Sequence, residues 1–181
     1  MAARPRVEMI ILGIDPGTLN MGYGLIEDGV PDLRALDYGV LTAPSSMAPA
    51  LRLHRLYTGL VQLVANYEPD EIAVEEPFVA QTARQNARSA LAIGRAQAIA
   101  MLVAAGSSIP LYTYLPARVK LVVTNHGGSN KEQVQRMVQI QLQLNQAPRP
   151  SDAADALAVA LCHTRERRLA NLVARNEPGR P

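Results

Sequence analysis

The sequence predicts an α/β domain with a five-stranded mixed sheet that carries helices on both faces. Three strand-length apolar runs come first, and after them helical and strand-like patterns alternate along the chain. Strands joined by short turns pair antiparallel, whereas strands separated by a helix usually pair parallel, so the sheet should contain both kinds of pairing. The length of 181 residues and the hydrophobic share of 48% fit one globular domain with a substantial core.

The expected strands are short apolar runs bounded by turn residues. The first run stops at Asp15-Pro16-Gly17, and Asp28-Gly29 is a hairpin-type turn signal between the second and third runs. The fourth run leads into Glu76-Pro77. The expected strands are residues 9–14, 21–27, 36–42, 71–75 and 111–114.

Helical periodicity or alanine-rich composition marks the segments between and after these strands. Leu53, Leu56 and Leu60 share one face of the first helix, and Gly106 is a C-cap signal at the end of the second. Three sequential strands followed by alternating helices and strands make the ribonuclease-H-like plan. The expected helices are residues 49–67, 80–105, 116–123, 131–144 and about 151–172.

We expect one domain over residues 9–172, with a flexible extension at 1–8 and a flexible tail at 173–181 that is rich in Pro and Gly. The lone cysteine, Cys162, excludes an internal disulfide, which fits a reducing cytoplasm. No apolar run is long enough to span a membrane, and no secretory leader follows the start. A cytoplasmic protein with no membrane partner is therefore expected.

Lysine and phenylalanine are rare in this chain. The net charge of +2 does not by itself indicate a nucleic-acid binder. Of the 18 basic residues only Lys120 and Lys131 are lysines, and Phe78 is the single phenylalanine. Phe78 follows Pro77 at the exit of a strand, where an aromatic side chain is less often fully buried than in a core.

Four carboxylates stand where the chain leaves or enters a regular element. Asp15 ends the first strand, Glu75 ends the fourth, and Asp152 and Asp155 open the last helix, three residues apart and therefore on one face. If the first and fourth strands are neighbours, Asp15 and Glu75 meet at one end of the sheet. The first turn of the last helix could then complete a cluster of four acids.

A cluster of this kind is unstable without cations, because like charges at short range resist joint ionisation. Hard oxygen ligands with open positions suit Mg²⁺, with Mn²⁺ as a substitute. Two such ions can hold the attacking and the leaving oxygen of a phosphodiester displacement. The pattern therefore favours two Mg²⁺ ions in a hydrolytic site, where one of the last-helix acids could also accept a proton.

Each acid also has an ordinary structural explanation. Asp15-Pro16-Gly17 is common turn chemistry, and Glu75 before Glu76-Pro77 could be solvated loop charge. Acids in the first turn of a helix, such as Asp152 and Asp155, are stabilised by the helix dipole. The joint arrangement, rather than any single acid, indicates a functional site.

The chain resembles the RuvC family of crossover-junction endodeoxyribonucleases, and the similar segments fall in the family's order over about residues 9–165. They are ILGIDPGTLNMGYG (11–24), AVEEPF (73–78), Val119-Lys120, NKEQV (130–134) and DAADALAVALCH (152–163). The resemblance implies a metal-dependent nuclease that cuts four-way DNA junctions by paired symmetric nicks, in recombination and repair. It implies that Asp15, Glu75, Asp152 and Asp155 bind the metals, with Asp152 the most replaceable because some members carry His there.

The resemblance also implies roles in DNA binding and assembly. Lys120 and Lys131 would face phosphates of the cut strand, and Phe78 would stack on an unpaired base at the junction core. A homodimer is expected, because a junction with approximate two-fold symmetry needs two matched sites. Residues 87–103 could supply the helix–helix contact, although core packing explains their composition equally well. Cooperation with the RuvA–RuvB branch-migration machinery is implied as well.

Arg84 and Arg88 are four residues apart and could present one helical face to DNA, although a solvated helix face explains them nearly as well. The stretch from Glu75 to Gly94 is about one helical turn longer than the family pattern leads us to expect, so the junction-contacting loop could differ in shape. No metal-ligand spacing connects the three histidines, which we interpret as structural or surface residues. They are His54, His126 and His163.

Two other functions fit parts of the sequence. The segment Gly13-Ile14-Asp15-Pro16-Gly17-Thr18 resembles the first phosphate loop of the sugar-kinase and actin class, but those proteins need two lobes and a longer chain. A non-catalytic junction-binding protein of the same fold is the other alternative. The presence of all four acids argues against it.

Overall fold

The computed structural model of the chain describes residues 8–29, 32–76 and 87–176. Within them lie five strands and five helices. The strands are β1 (Met9–Asp15), β2 (Asn20–Asp28), β3 (Leu33–Thr42), β4 (Glu71–Glu75) and β5 (Leu111–Tyr114). The helices are α1 (Pro49–Tyr67), α2 (Ala87–Gly106), α3 (Pro116–Thr124), α4 (Lys131–Gln141) and α5 (Ser151–Asn176).

The strands form one sheet in the order β3-β2-β1-β4-β5. β1 pairs antiparallel with β2 and parallel with β4, because the turn between β1 and β2 is short whereas α1 crosses over between β3 and β4. β5 continues the parallel half beside β4, and β3 is the antiparallel edge beside β2. The mixed sheet of the ribonuclease-H-like plan and the neighbourhood of the first and fourth strands are therefore confirmed.

Helices cover both faces of the sheet, as expected. Leu12 and Ile14 of β1 point into a core formed with α1 and α2, whereas Ile11 points into a second core formed with α3, α4 and α5. This alternation follows the two-residue period of a strand. Asp15 and Gly13 have the parity of Ile11, so both belong to the face that α5 covers.

The close packing of α5 against the sheet depends on glycine residues. Gly13 lies opposite Gly24, and Asp15 lies opposite Gly22, on the face of β1 and β2 beneath this helix. A Cβ on Gly13 would meet the backbone of Ala156. A Cβ on Gly22 would meet the backbone of Asp152. Only glycine at these two positions therefore lets the first turns of α5 lie this close to the sheet.

Several boundaries differ from the expected ones. β3 begins at Leu33 rather than residue 36, and α4 ends at Gln141 rather than residue 144. Leu144 still packs against the core, so the apolar pattern continues beyond the helix, while Gln143 has a positive φ of 52° in the turn that ends it. α5 continues to Asn176, four residues beyond the expected end. Residues 1–7 and 177–181 of the expected flexible ends lie outside the described residues.

In the part of the chain that the structure describes, no helix is both long enough and apolar enough to cross a membrane.

Candidate active site

Asp15 and Glu75 are brought together by the central strand pair. Ile14 of β1 is in register with Val74 of β4, so the residues that follow them end neighbouring parallel strands at the same edge. Both acids lie on the α5 face of the sheet and are partly buried. The expected convergence of Asp15 and Glu75 is confirmed by this pairing.

Asp152 and Asp155 reach the same edge from the first turns of α5. One carboxylate oxygen each from Asp15, Asp152 and Asp155 can be chosen so that all three lie within 4.8 Å of one another. Glu75 is not part of that tight group. It lines a cavity of about 200 Å³ together with Asp15 and Asp155, whereas Asp152 does not line this cavity.

The clustering of acids perturbs their protonation. Burial, and then the charges of Glu75, Asp155 and Asp152, raises the pKa of Asp15 from 3.8 to about 7, although Lys131 opposes the shift. Burial and the charge of Asp155 raise the pKa of Glu75 from 4.5 to about 7, against Lys131 and Lys120. Burial is thus the main reason that these two acids favour their protonated forms, and the neighbouring carboxylates add to it.

Lys131 lies directly at the cluster. Its Nζ donates a hydrogen bond to Oδ2 of Asp155 at 3.0 Å, and this bond, together with the Asp155 charge, raises the pKa of the lysine. Asn130 and Gln133 form a reciprocal capping box that fixes the first turn of α4, where Lys131 is the first residue. The lysine is well exposed, so it can also reach a ligand in solvent.

Lys120 projects from α3 into the same cavity, and its charge lowers the pKa of Glu75. Pro116 at the start of α3 and Val119 form part of the cavity wall, and Val134 of α4 and Ala158 of α5 complete it. The expected grouping of both rare lysines with the carboxylates is therefore present.

The donor set fits a divalent cation of the Mg²⁺ type. All the candidate ligand atoms are carboxylate oxygens, and three of them lie close enough together to share one ion. Burial and the neighbouring carboxylates raise the pKa values of Asp15 and Glu75, and a divalent ion would favour their ionised forms. Asp15, Asp152 and Asp155 could hold an ion, and Glu75 is placed to contribute beside Asp15.

Phe78 and Arg84 fall at positions 77–86, outside the described residues. Arg88 lies in the first turn of α2, but its side chain is also outside what the structure describes. The apparent extra turn between Glu75 and Gly94 covers the same stretch. The predictions for these residues therefore stay predictions.

The sequence did not reveal the polar contacts of His163. This buried histidine bonds the Tyr114 hydroxyl through Nδ1 at 2.7 Å and Oε2 of Glu71 through Nε2 at 2.6 Å. Its interpretation as a structural residue agrees with these contacts. One sequence feature does place Glu71 near α5. Glu71, Ala73 and Glu75 alternate along β4, so both acids of this strand lie on the α5 face. The histidine network thus attaches α5 to the strand that carries Glu75.

Comparison with known proteins assigns the chain to a family. Residues 11–163 match the family described as crossover junction endodeoxyribonuclease RuvC. A protein of that description from Dehalococcoides mccartyi is 47% identical over 169 residues, which cover 93% of this chain and 99% of the relative. A second from Desulforamulus reducens is 48% identical over 155 residues, 86% of this chain and 93% of the relative.

Solved structures agree with this assignment. The structure described as T. thermophilus RuvC in complex with Holliday junction substrate superposes with a TM-score of 0.82 at 32% identity, over 90% of this chain and 96% of the other. The sequence and structural matches both span nearly the whole domain, and they leave no support for the sugar-kinase and actin alternative. The chain therefore belongs to the RuvC family of crossover junction endodeoxyribonucleases.

Proposed function

We propose that this protein is a structure-selective endonuclease that resolves Holliday junctions by paired symmetric nicks, in homologous recombination and DNA repair. The observation that carries the proposal is the convergence of Asp15, Asp152 and Asp155 within 4.8 Å in a chain of this family. Holliday-junction DNA is named in the description of the related T. thermophilus structure, which supports the choice of substrate.

The four acids would hold two Mg²⁺ ions, with Mn²⁺ as a substitute. When bound, the ions would supply Lewis-acid activation of a water and charge stabilisation at the leaving 3′ oxygen. The chain contributes a rigid ligand set, because Asp15 and Glu75 end paired strands and Asp155 is held on a helix packed against glycines. Asp155 is also hydrogen-bonded to Lys131, so an ion bound by this carboxylate would compete with the lysine.

Lys120 and Lys131 would bind phosphate oxygens of the cut strand. Both line the cavity that contains Asp15 and Glu75, and Lys131 is 69% exposed in its side chain, so DNA can reach it. Phe78 would stack on a base at the junction core, and Arg84 and Arg88 would contact the DNA backbone nearby. The assignment of Phe78 rests on the family resemblance, and those of Arg84 and Arg88 rest on their spacing of four residues.

The protein would act as a homodimer through the outer face of α1 and α2. An apolar groove of about 330 Å³ lies between the two helices, and the large apolar side chains beside it are exposed. Ala96, Ala100 and Val103 of α2 pack into the core, so the helix can serve both purposes that its sequence suggested. Tyr57 and Leu102 are exposed apolar residues that line this groove, and the other large exposed apolar residues of α1 and α2 are Leu51, Val61, Leu91 and Met101.

Two further parts of the proposal follow from the family. The enzyme would cooperate with the RuvA–RuvB branch-migration complex. It would do so in the cytoplasm, a reducing compartment in which the buried thiol of Cys162 stays reduced.

A synthetic mobile four-way junction tests the proposal. With Mg²⁺ we expect wild type to introduce paired symmetric nicks, and Asp15→Asn to bind the junction with similar affinity while cutting at least about a thousandfold more slowly. Asp32→Asn, an exposed acid in the β2–β3 turn, is the matched control and should cut normally. Cutting at equal rates by wild type and Asp15→Asn would remove the acid cluster from the mechanism. Binding without cutting by wild type would favour a non-catalytic junction-binding protein.

A further inference from the structure

A small cleft opens at the same edge of the sheet as the acid cluster, but on the face that α1 and α2 cover. Thr18 contributes from the loop after β1, and the first turn of α1 and the middle of α2 supply the other walls. Arg52 of α1 and Arg95 of α2 both line it, and no acidic side chain does. The remaining lining residues are Pro49, Leu53 and Ala92.

Arg52 is poorly satisfied by the protein. Its Nη1 donates to the carbonyl of Ser45 at 3.2 Å, but its buried Nε has no hydrogen-bond partner among the residues that the structure describes. Buried arginine nitrogens normally have partners, because leaving a charged donor unpaired is costly. The Nε of Arg52 is therefore a donor that the described residues leave unsatisfied.

Neither arginine of the cleft has a carboxylate counterion. Arg34 and Arg118 each form an ion pair, whereas no carboxylate within the described part of the chain lies within 4.0 Å of Arg52 or Arg95. The first turn of α1 also contains no acidic residue. Two unneutralised guanidinium groups that share one cleft attract an anion.

The position of the cleft indicates which anion. Thr18 is three residues beyond Asp15, so the Cα atoms of the two residues are at most about 11 Å apart. Arg95 is exposed in the single chain, although it also lines the α1–α2 groove of the proposed dimer. A polymer whose phosphate lies at the acid cluster would place another of its phosphates within reach of this cleft.

We propose that Arg52 and Arg95 bind a backbone phosphate of the junction DNA, at a second anchoring point beside the metal site. The inference rests on the proposed function, since it takes the polymer at the acid cluster to be DNA. The planar guanidinium of Arg52 would donate through Nε and its neighbouring nitrogen, and Arg95 would neutralise the same phosphate from α2. Contact at a second phosphate fixes the direction of the strand across the carboxylates.

The salt dependence of binding tests this anchor directly. Junction affinity is measured with Ca²⁺, without cleavage, across a salt series for wild type, Arg95→Gln and Arg52→Lys. We expect Arg95→Gln to bind several-fold more weakly, with the slope of log K against log salt reduced in magnitude by about 0.9, one lost phosphate contact. Arg52→Lys should keep the slope but lose affinity, because it keeps the charge and loses the planar donor pair.

Arg175→Gln, an exposed arginine near the end of α5, is the control for loss of one positive charge and should leave the slope unchanged. Unchanged slopes and affinities in both cleft variants would overturn the proposal. A changed oligomeric state of Arg95→Gln with an unchanged slope would do the same, since Arg95 also borders the α1–α2 groove.

A second readout separates this inference from the proposed function. The Nε–H signal of Arg52, assigned by its loss in Arg52→Lys, is followed by NMR during titration with a short single-stranded oligonucleotide. We expect a saturable shift that Arg95→Gln weakens. If wild type neither prefers nor cuts junctions, the proposed function fails while this titration still decides the cleft. No shift at Arg52 with DNA bound elsewhere would exclude the anchor.

Discussion

Lys131 Nζ lies 3.0 Å from Oδ2 of Asp155, so a lysine that opens one helix is hydrogen-bonded to a candidate metal ligand on another. This pairing gives the acid cluster one fixed positive charge in contact with it. A divalent ion bound by Asp155 would compete with the lysine for the same oxygen. Release of Lys131 at that moment would leave its ammonium group free for a phosphate.

Replacing Lys131 should therefore separate metal binding from DNA cleavage. We expect Lys131→Gln to bind Mg²⁺ or Mn²⁺ several-fold more tightly without DNA, because a competing charge is gone, while cleaving junctions about ten- to a hundredfold more slowly. Calorimetric titration and single-turnover cleavage measure the two effects. Arg136→Gln removes an exposed charge from the same helix and should change neither. Weaker metal binding by Lys131→Gln would contradict the competition.

The acid cluster should make the metal-free protein less stable as the pH rises. The pKa values of Asp15 and Glu75, about 7 in the folded protein, lie above their ordinary 3.8 and 4.5. Stability from their protonated forms is fully present below those ordinary values and is lost as the pH rises through about 7. In EDTA we expect Asp15→Asn to melt about 3 °C higher than wild type at pH 8, and to lose that advantage by about pH 5.

Mg²⁺ should abolish this difference at high pH, because it stabilises wild type through ligands that Asp15→Asn lacks. Thermal melts with and without the ion over the pH series measure the effect. Asp32→Asn serves again as the control. An advantage of Asp15→Asn that grows toward low pH would contradict the assigned direction of the shift.

The glycines beneath α5 predict that a single added methyl group will lower the stability of the protein substantially. Gly13→Ala would press against the backbone of Ala156, and overpacking of this kind costs about 1–3 kcal/mol. Movement of α5 would also carry Asp155 away from Asp15, so the Mg²⁺ concentration for half-maximal cleavage should rise. Gly94→Ala is the matched control, since no atom lies within 4 Å of its added Cβ. It should stabilise α2 by about 0.5–1 kcal/mol.

The hydrogen bonds of His163 to Tyr114 and Glu71 should be required for stability, at the end of β4 opposite to Glu75. His163→Ala would leave the Tyr114 hydroxyl and the Glu71 carboxylate without a shared partner, at a cost of about 2–4 kcal/mol. Chemical denaturation measures the loss. His126→Ala, at an exposed position, should cost less than about 0.5 kcal/mol. Equal stabilities of the two variants would show that the network contributes nothing.

The proposed dimer interface can be tested by introducing a charged residue into it. Leu102 is 65% exposed on α2, and Leu102→Glu would place a carboxylate within the apolar interface. We expect a monomer by sedimentation, and single uncoupled nicks instead of paired ones. Leu169→Glu, at a similarly exposed leucine of α5, should stay dimeric. If the Leu102→Glu variant is still a dimer, the interface does not lie on this face.

Periodicity and turn residues were enough to predict the mixed sheet and its helices, because each depends on neighbours in sequence. They failed at boundaries set by packing. Leu144 extended the apolar pattern of α4 although the helix ends at Gln141, and the core accepts Leu144 from a turn. A local hydrophobic pattern indicates which residues are buried. It does not indicate whether a buried residue lies in a helix or in a turn.

The amino-acid sequence by itself determined which residues could do chemistry, since Asp15, Glu75, Asp152 and Asp155 all stand at the ends of predicted elements. Tertiary structure alone decided how they meet. Pairing of β1 with β4 joins two of the acids, and glycines beneath α5 bring in the other two. Distances between such residues depend on how whole elements pack, and charges lying far apart in sequence interact only after that packing. The pairing of Glu71 with His163, and the shared cleft of Arg52 and Arg95, join residues far apart in sequence and were therefore not predicted.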